Sequence, residues 1–174
     1  MPDEEMAIFQ LHPTLKGTRN YIFCIPPCPV IYTEDSGGPH KEFAFLDVEL
    51  SGSALVVDFE VSANHDANIA LSSESKNLQK MYRIVIGAHK KRVIVQRECP
   101  TPYSTACTVD IAASFFDSVL TGIPTYDHFW LTFDEGRLMI GRHGNQVAFI
   151  NWTDPDPFPV NHIGVWTGWT SEGY

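Results

Sequence analysis

Long apolar runs are missing from this chain. None approaches the roughly 20 residues that a helix needs to cross a bilayer, so no membrane span is expected. Positive charge is also scarce: 12 Lys and Arg stand against 21 Asp and Glu, a formal net charge of −9 that repels a phosphate backbone. The one dense basic run, His89-Lys90-Lys91-Arg92, is too short and isolated to line a nucleic-acid groove. It falls between "MYRIVIG" and "VIVQRE", where a hairpin tip belongs, so nucleic acid is excluded as a partner.

Glycine motifs are lacking as well. The 12 glycines contain no G-x-G-x-x-G turn opening a helix, the usual cradle for a nucleotide or for S-adenosylmethionine. Seven histidines are present, at positions 12, 40, 65, 89, 128, 143 and 162, but no G-x-S-x-G or comparable nucleophile context accompanies them. No catalytic residue is therefore assigned. The start, "MPDEEMAIFQ", is acidic where a signal peptide would be basic and then apolar. As written the chain reads as cytoplasmic, and as a processed or excised domain it would be extracellular.

The four cysteines form two local pairs, Cys24 with Cys28 in "CIPPC" and Cys99 with Cys107 in "CPTPYSTAC". Their even number and Pro-rich turns fit two disulfides. Unlinked thiols and a four-thiolate zinc site are the alternatives. Zinc wants tight C-x2-C knuckles, which neither pair supplies, and no metal is expected.

What the chain does have is β pattern. Aromatic residues reach 12% and hydrophobic ones 44%, a composition suited to pleated, half-buried surfaces. In "ALVVDFEV" (54–61), Leu55, Val57, Phe59 and Val61 fall on one face, with Val56, Asp58 and Glu60 on the other. Similar short runs occur at 21–25, 43–50, 67–72, 82–87, 92–98, 106–111, 128–133, 137–141, 146–150 and 162–168. Turn chemistry separates them: Ser51-Gly52-Ser53, Asp134-Glu135-Gly136 and His143-Gly144-Asn145. Only "AASFFDSVLTGIP" (112–124) reads as a helix or helical turn. The expected fold is an all-β antiparallel sandwich of jelly-roll kind with ten to eleven strands. Residues 1–42 form an arm and edge strand of the same domain, and residues 1–19 within it read as an arm or first edge strand.

Three features invite a ligand. "NHDAN" sets His65 and Asp66 beside Asn64 and Asn68, where oxygens could meet calcium. The same residue types also bond their own backbone in loops, which is the preferred reading. "GVWTGWT" holds Trp166 and Trp169, and Trp152 precedes Asp154; aromatic rings of this kind pack in cores or stack on sugars. Trp130 reads as interior. In "NWTDPDP" (151–157), Asn151 heads a glycosylation sequon, and Asp154 and Asp156 each precede a proline, which favours extended or turn geometry. The stretch reads as the turn after a strand over 146–150.

The ordered pieces Phe59, Val61, Asp66-Ala67, Ile69 to Ser72, Tyr82 to Gly87, Phe129-Trp130, Gly136, Ile140-Gly141, Trp152, Asp154-Pro155 and Gly164 to Gly168 carry a resemblance. Residues 43–174 resemble the farnesoic acid O-methyltransferase-like domain family. That resemblance implies an animal β-sandwich domain, found also in proteins with extracellular domains, and by its name an S-adenosylmethionine-dependent methylation of a sesquiterpenoid acid. From the residues, the expectation is a non-catalytic recognition module without cofactor, binding a glycan or a protein through Trp152, Asp154, Trp166, Trp169, His65 and Asp66. An accessory or assembly role in a larger protein, including self-association as a homo-oligomer, is the remaining alternative.

Overall fold

The computed structural model describes residues 6–12, 20–21, 30–34, 44–46, 54–64, 66–74, 80–88, 91–97 and 112–167. His65, Trp169 and the four cysteines lie outside them, as does the strand expected at 106–111. Four strand segments precede residue 46: β1 (Met6–His12), β2 (Asn20–Tyr21), β3 (Val30–Glu34) and β4 (Ala44–Phe45). Nine follow: β5 (Ala54–Ser62), β6 (Ala67–Ser72), β7 (Met81–Ala88), β8 (Arg92–Arg97), β9 (Ala112–Phe115), β10 (Asp127–Asp134), β11 (Arg137–Arg142), β12 (Ile150–Thr153) and β13 (His162–Thr167). These nine carry the body of the fold, against the ten to eleven expected. Among the described residues there is no helix, and none long and apolar enough to cross a membrane.

The strands form two sheets, one ordered β12-β11-β10-β5-β1-β3 and the other β4-β13-β6-β7-β8-β9. All pairings along both orders are antiparallel; the short β2 runs parallel to β5. The all-β antiparallel sandwich is therefore as expected. Within residues 1–19 the pairing differs from an edge strand, because β1 has β5 on one side and β3 on the other.

Alternation explains the packing. Leu55, Val57, Phe59 and Val61 of β5 turn inward beside Phe129, Leu131 and Phe133 of β10. From the second sheet, Ile69, Leu71, Tyr82, Ile84, Ile86, Val93, Val95, Ile163 and Val165 enter the same core. Each such fully buried aliphatic or aromatic side chain stabilises the fold by about 1.5–3 kcal/mol. Strands β6 and β7 are buried on both faces, which is why "YRIVIG" shows an apolar run rather than strict alternation.

Two local expectations are corrected. Residues 112–124 are not helical: Ala112–Phe115 pair with β8, and the chain then runs irregularly. Ser118 bonds the carbonyl of Leu120 through its hydroxyl, while Thr121 donates from its amide and hydroxyl to Asp127. Such local side-chain bonds compete with helix formation, and Gly122 and Pro124 disfavour it further. Likewise the strand expected at 146–150 begins only at Ile150 and continues to Thr153. The Asn145 side chain accepts from the Val147 amide and closes a local turn instead.

Candidate functional site

The stretch after β12 is built from the inside out. The Asp154 carboxylate is wholly buried, and its Oδ2 accepts from the Tyr82 hydroxyl at 2.6 Å and lies 2.8 Å from Nε of Arg97. Its Oδ1 accepts from the Asp156 amide at 3.0 Å, and its own amide donates to Gly136. Gly136 makes this approach possible: it sits at φ +87° in the β10–β11 turn, and a Cβ there would collide with Pro157. Tyr82, on β7 of the opposite sheet, stacks on Phe158 with ring centroids 4.3 Å apart and meets Trp152 edge-on at 5.9 Å. Asp154 is thus a bolt between the two sheets. Asp156 is exposed; its carbonyl accepts from the Arg97 guanidinium, and its carboxylate lies 3.8 Å from the same group. The two carboxylates share Arg97 but differ in exposure, Asp154 being wholly buried and Asp156 open to solvent, and the bonds of Asp154 are structural ones.

Burial, then the hydrogen bond and charge of Asp154, push the Tyr82 hydroxyl above its ordinary ionisation range. In the unfolded chain this hydroxyl ionises near pH 10, whereas the folded state keeps its proton to higher pH. Its contribution is fully present below about pH 10 and declines as pH rises beyond that. Urea midpoints between about pH 8 and about pH 11 should therefore fall with a steeper alkaline limb in the native chain than in Tyr82→Phe. Equal limbs in the two proteins would contradict the assignment.

The other residues singled out from the sequence are placed as follows. Trp166 is 5% exposed, with the Arg83 guanidinium 5.2 Å from its ring centre, and Arg83 also donates to Asn68 at 2.9 Å. Asp66 is half-buried, and its carbonyl accepts from the Asn68 side chain. Trp152 is half-buried against the core. Asn151 is exposed on β12, an end strand of its sheet, and accepts from Nε of Arg137 at 3.0 Å.

A different constellation occupies the outward face of the first sheet. On β5 that face carries Asp58 and Glu60; on β10 it carries His128 and Trp130, with Trp130 in register with Asp58 and His128 with Glu60. The ring of Trp130 lies over Gly141 of β11, where any Cβ would overlap the indole, and its Nε1 donates to the Asn145 carbonyl at 2.8 Å. The indole is half-buried, with its apolar surface on the solvent side of the sheet rather than in the core. Next to it His128 and His143 stack face to face, centroids 3.8 Å apart and planes within 4°. Nε2 of His128 is 2.8 Å from Asp58 Oδ1, and Nδ1 of His143 is 3.2 Å from Asp58 Oδ2. Asp58 is nearly buried, whereas the side chains of His128 and His143 are 25% and 51% exposed.

Asp58, Glu60, His128, Trp130 and His143 were not read from the sequence as site residues. Their sole local signal is strand alternation, which sets Asp58 and Glu60 opposite the core face. A flat aromatic surface beside imidazoles and carboxylates can bind a ligand that presents both C–H faces and hydroxyls.

The family model described as farnesoic acid O-methyltransferase matches residues 39–174. No curated protein and no solved structure gives a significant match.

Proposed function

From the premise that the chain belongs to the farnesoic acid O-methyltransferase family, we propose that it is a non-catalytic recognition module. It binds a carbohydrate, or a glycan-bearing or other protein partner, on the outward face of β5, β10 and β11. The observation that carries this reading is Trp130: a half-buried indole packed against Gly141, where any Cβ would overlap it, and fixed by its bond to Asn145. A ring held in this way offers a preorganised stacking surface at little entropic cost. Glu60 and the exposed edge of His143 supply hydrogen-bonding groups on the same side of the sheet.

Titration of intrinsic tryptophan fluorescence with neutral and acidic saccharides tests it. The native chain should give a saturable change for at least one sugar class, and Trp130→Ala should weaken that binding by about tenfold or more, since burying a large apolar side chain is worth about 1.5–3 kcal/mol. A response that survives unchanged in Trp130→Ala would refute the assigned face.

Methyl transfer is the second reading, favoured by the family's description. Calorimetry with S-adenosylmethionine separates the two: saturable one-to-one heat would overturn the non-catalytic assignment.

A further inference from the structure

We propose that Asp58, His128 and His143 form a binding site for a divalent transition-metal ion of the zinc class. Three potential ligand atoms, one from each residue, lie within 4.8 Å of one another. They come from β5, from its neighbour β10, and from the turn that ends β11, so the sheet's pairing register places them. Two imidazoles and one carboxylate are the donor set that borderline ions take, and three protein ligands leave a position for water or a ligand oxygen. Hard ions such as calcium want more oxygens than this set offers.

A second observation points the same way. Glu60 Oε1 lies 3.6 Å from Nδ1 of His128, on the ring nitrogen remote from Asp58. A carboxylate behind a ligating imidazole orients the ring and raises its basicity, a recurrent feature of metal sites. The parallel stacking also states what binding requires. Imidazole lone pairs lie in the ring planes, and two stacked rings with centroids 3.8 Å apart and planes within 4° do not share a point near both nitrogens where one ion could sit in both planes. One ring must turn. His143 is the ring free to do so, being half exposed and followed by Gly144 at φ +77° with open space around it. Asp58 and His128, held within the β5–β10 pairing, stay as the fixed pair.

The site shares Glu60 and His143 with the proposed recognition face, but its test does not depend on that reading, because the ion alone is the probe. Chelator-treated protein is titrated calorimetrically with zinc chloride and, in parallel, with cobalt(II) followed by visible absorption. The native chain should bind one ion and unfold at a higher temperature with zinc present. His143→Ala, whose side chain is exposed enough to spare the fold, should bind at least tenfold more weakly and lose the thermal shift. Glu60→Gln should weaken binding about ten- to a hundredfold, and Asp156→Ala, at an exposed carboxylate that takes no part in the site, should leave it unchanged. Three outcomes would overturn the site: no saturable binding to the folded native chain, undiminished binding in the His128→Ala/His143→Ala double variant, or a thiolate-to-cobalt charge-transfer band, which would put the ion on cysteines instead.

Discussion

Replacing Asp154 by alanine is expected to destabilise the protein by about 3–5 kcal/mol. Two hydrogen bonds and an ion pair end on this buried carboxylate: the bonds of the Tyr82 hydroxyl and the Asp156 amide, and the pair with the Arg97 guanidinium. Removing it strands the hydroxyl of a fully buried tyrosine, which costs about 1–3 kcal/mol by itself. It also leaves Arg97 without its nearest counter-charge. Because the Arg97 side chain is 24% exposed and Asp156 stands 3.8 Å away, water and that second carboxylate recover part of the loss. The effect should therefore stay below the sum of its parts. Asp156→Ala is the matched control: its carboxylate is 94% exposed, and its loss should change stability by no more than about 0.5 kcal/mol. Urea denaturation of the two variants checks the contrast. Similar small losses in both would show that the bolt between the sheets carries no weight.

The second large effect belongs to Phe129→Ala, expected to cost about 3–5 kcal/mol. Phe129 is 0% exposed, stacks on Phe59 at 5.8 Å, meets Phe149 edge-on at 6.4 Å, and lies under the Arg142 guanidinium at 5.2 Å. Its removal opens a cavity between the sheets that neighbouring aromatic rings cannot collapse to fill. The consequence reaches the outward face, because Phe129 stands between His128 and Trp130 on β10 and holds that strand to the core. Trp130 should then become more exposed and its fluorescence should shift to the red. Loss of stability with unchanged Trp130 emission would mean that the face is set by its own contacts and not by the core beneath.

How far the sequence announced this structure depends on the range of each signal. Strand alternation in "LVVDFEV" marked the inward Leu55, Val57, Phe59 and Val61 correctly, because a period of two is a local property of the backbone. The same rule, applied loosely, misplaced Trp130. Read as interior, it falls instead on the face opposite the core residues of β10, which are Phe129, Leu131 and Phe133. The family resemblance, read from scattered short pieces over 43–174, agrees with the family match over 39–174.

The candidate site was far less legible. Asp58 and His143 are 85 residues apart and meet only through the β5–β10–β11 pairing, and no local pattern encodes a register. "NWTDPDP" was read as the turn after a strand, with Asp154 among the expected ligand residues; the bonds of Asp154 tie that turn to the opposite sheet. The strand nevertheless extends through Thr153, and the partner that gives Asp154 its role, Tyr82, lies 72 residues earlier in the chain.

The most direct test of the recognition reading is a glycan array probed in parallel with the native chain and with Trp130→Ala, both confirmed folded. The expected result is selective binding by the native chain that is lost in Trp130→Ala. A folded native chain that stays silent across the array, or binding that persists undiminished without the Trp130 ring, would contradict carbohydrate recognition on this face.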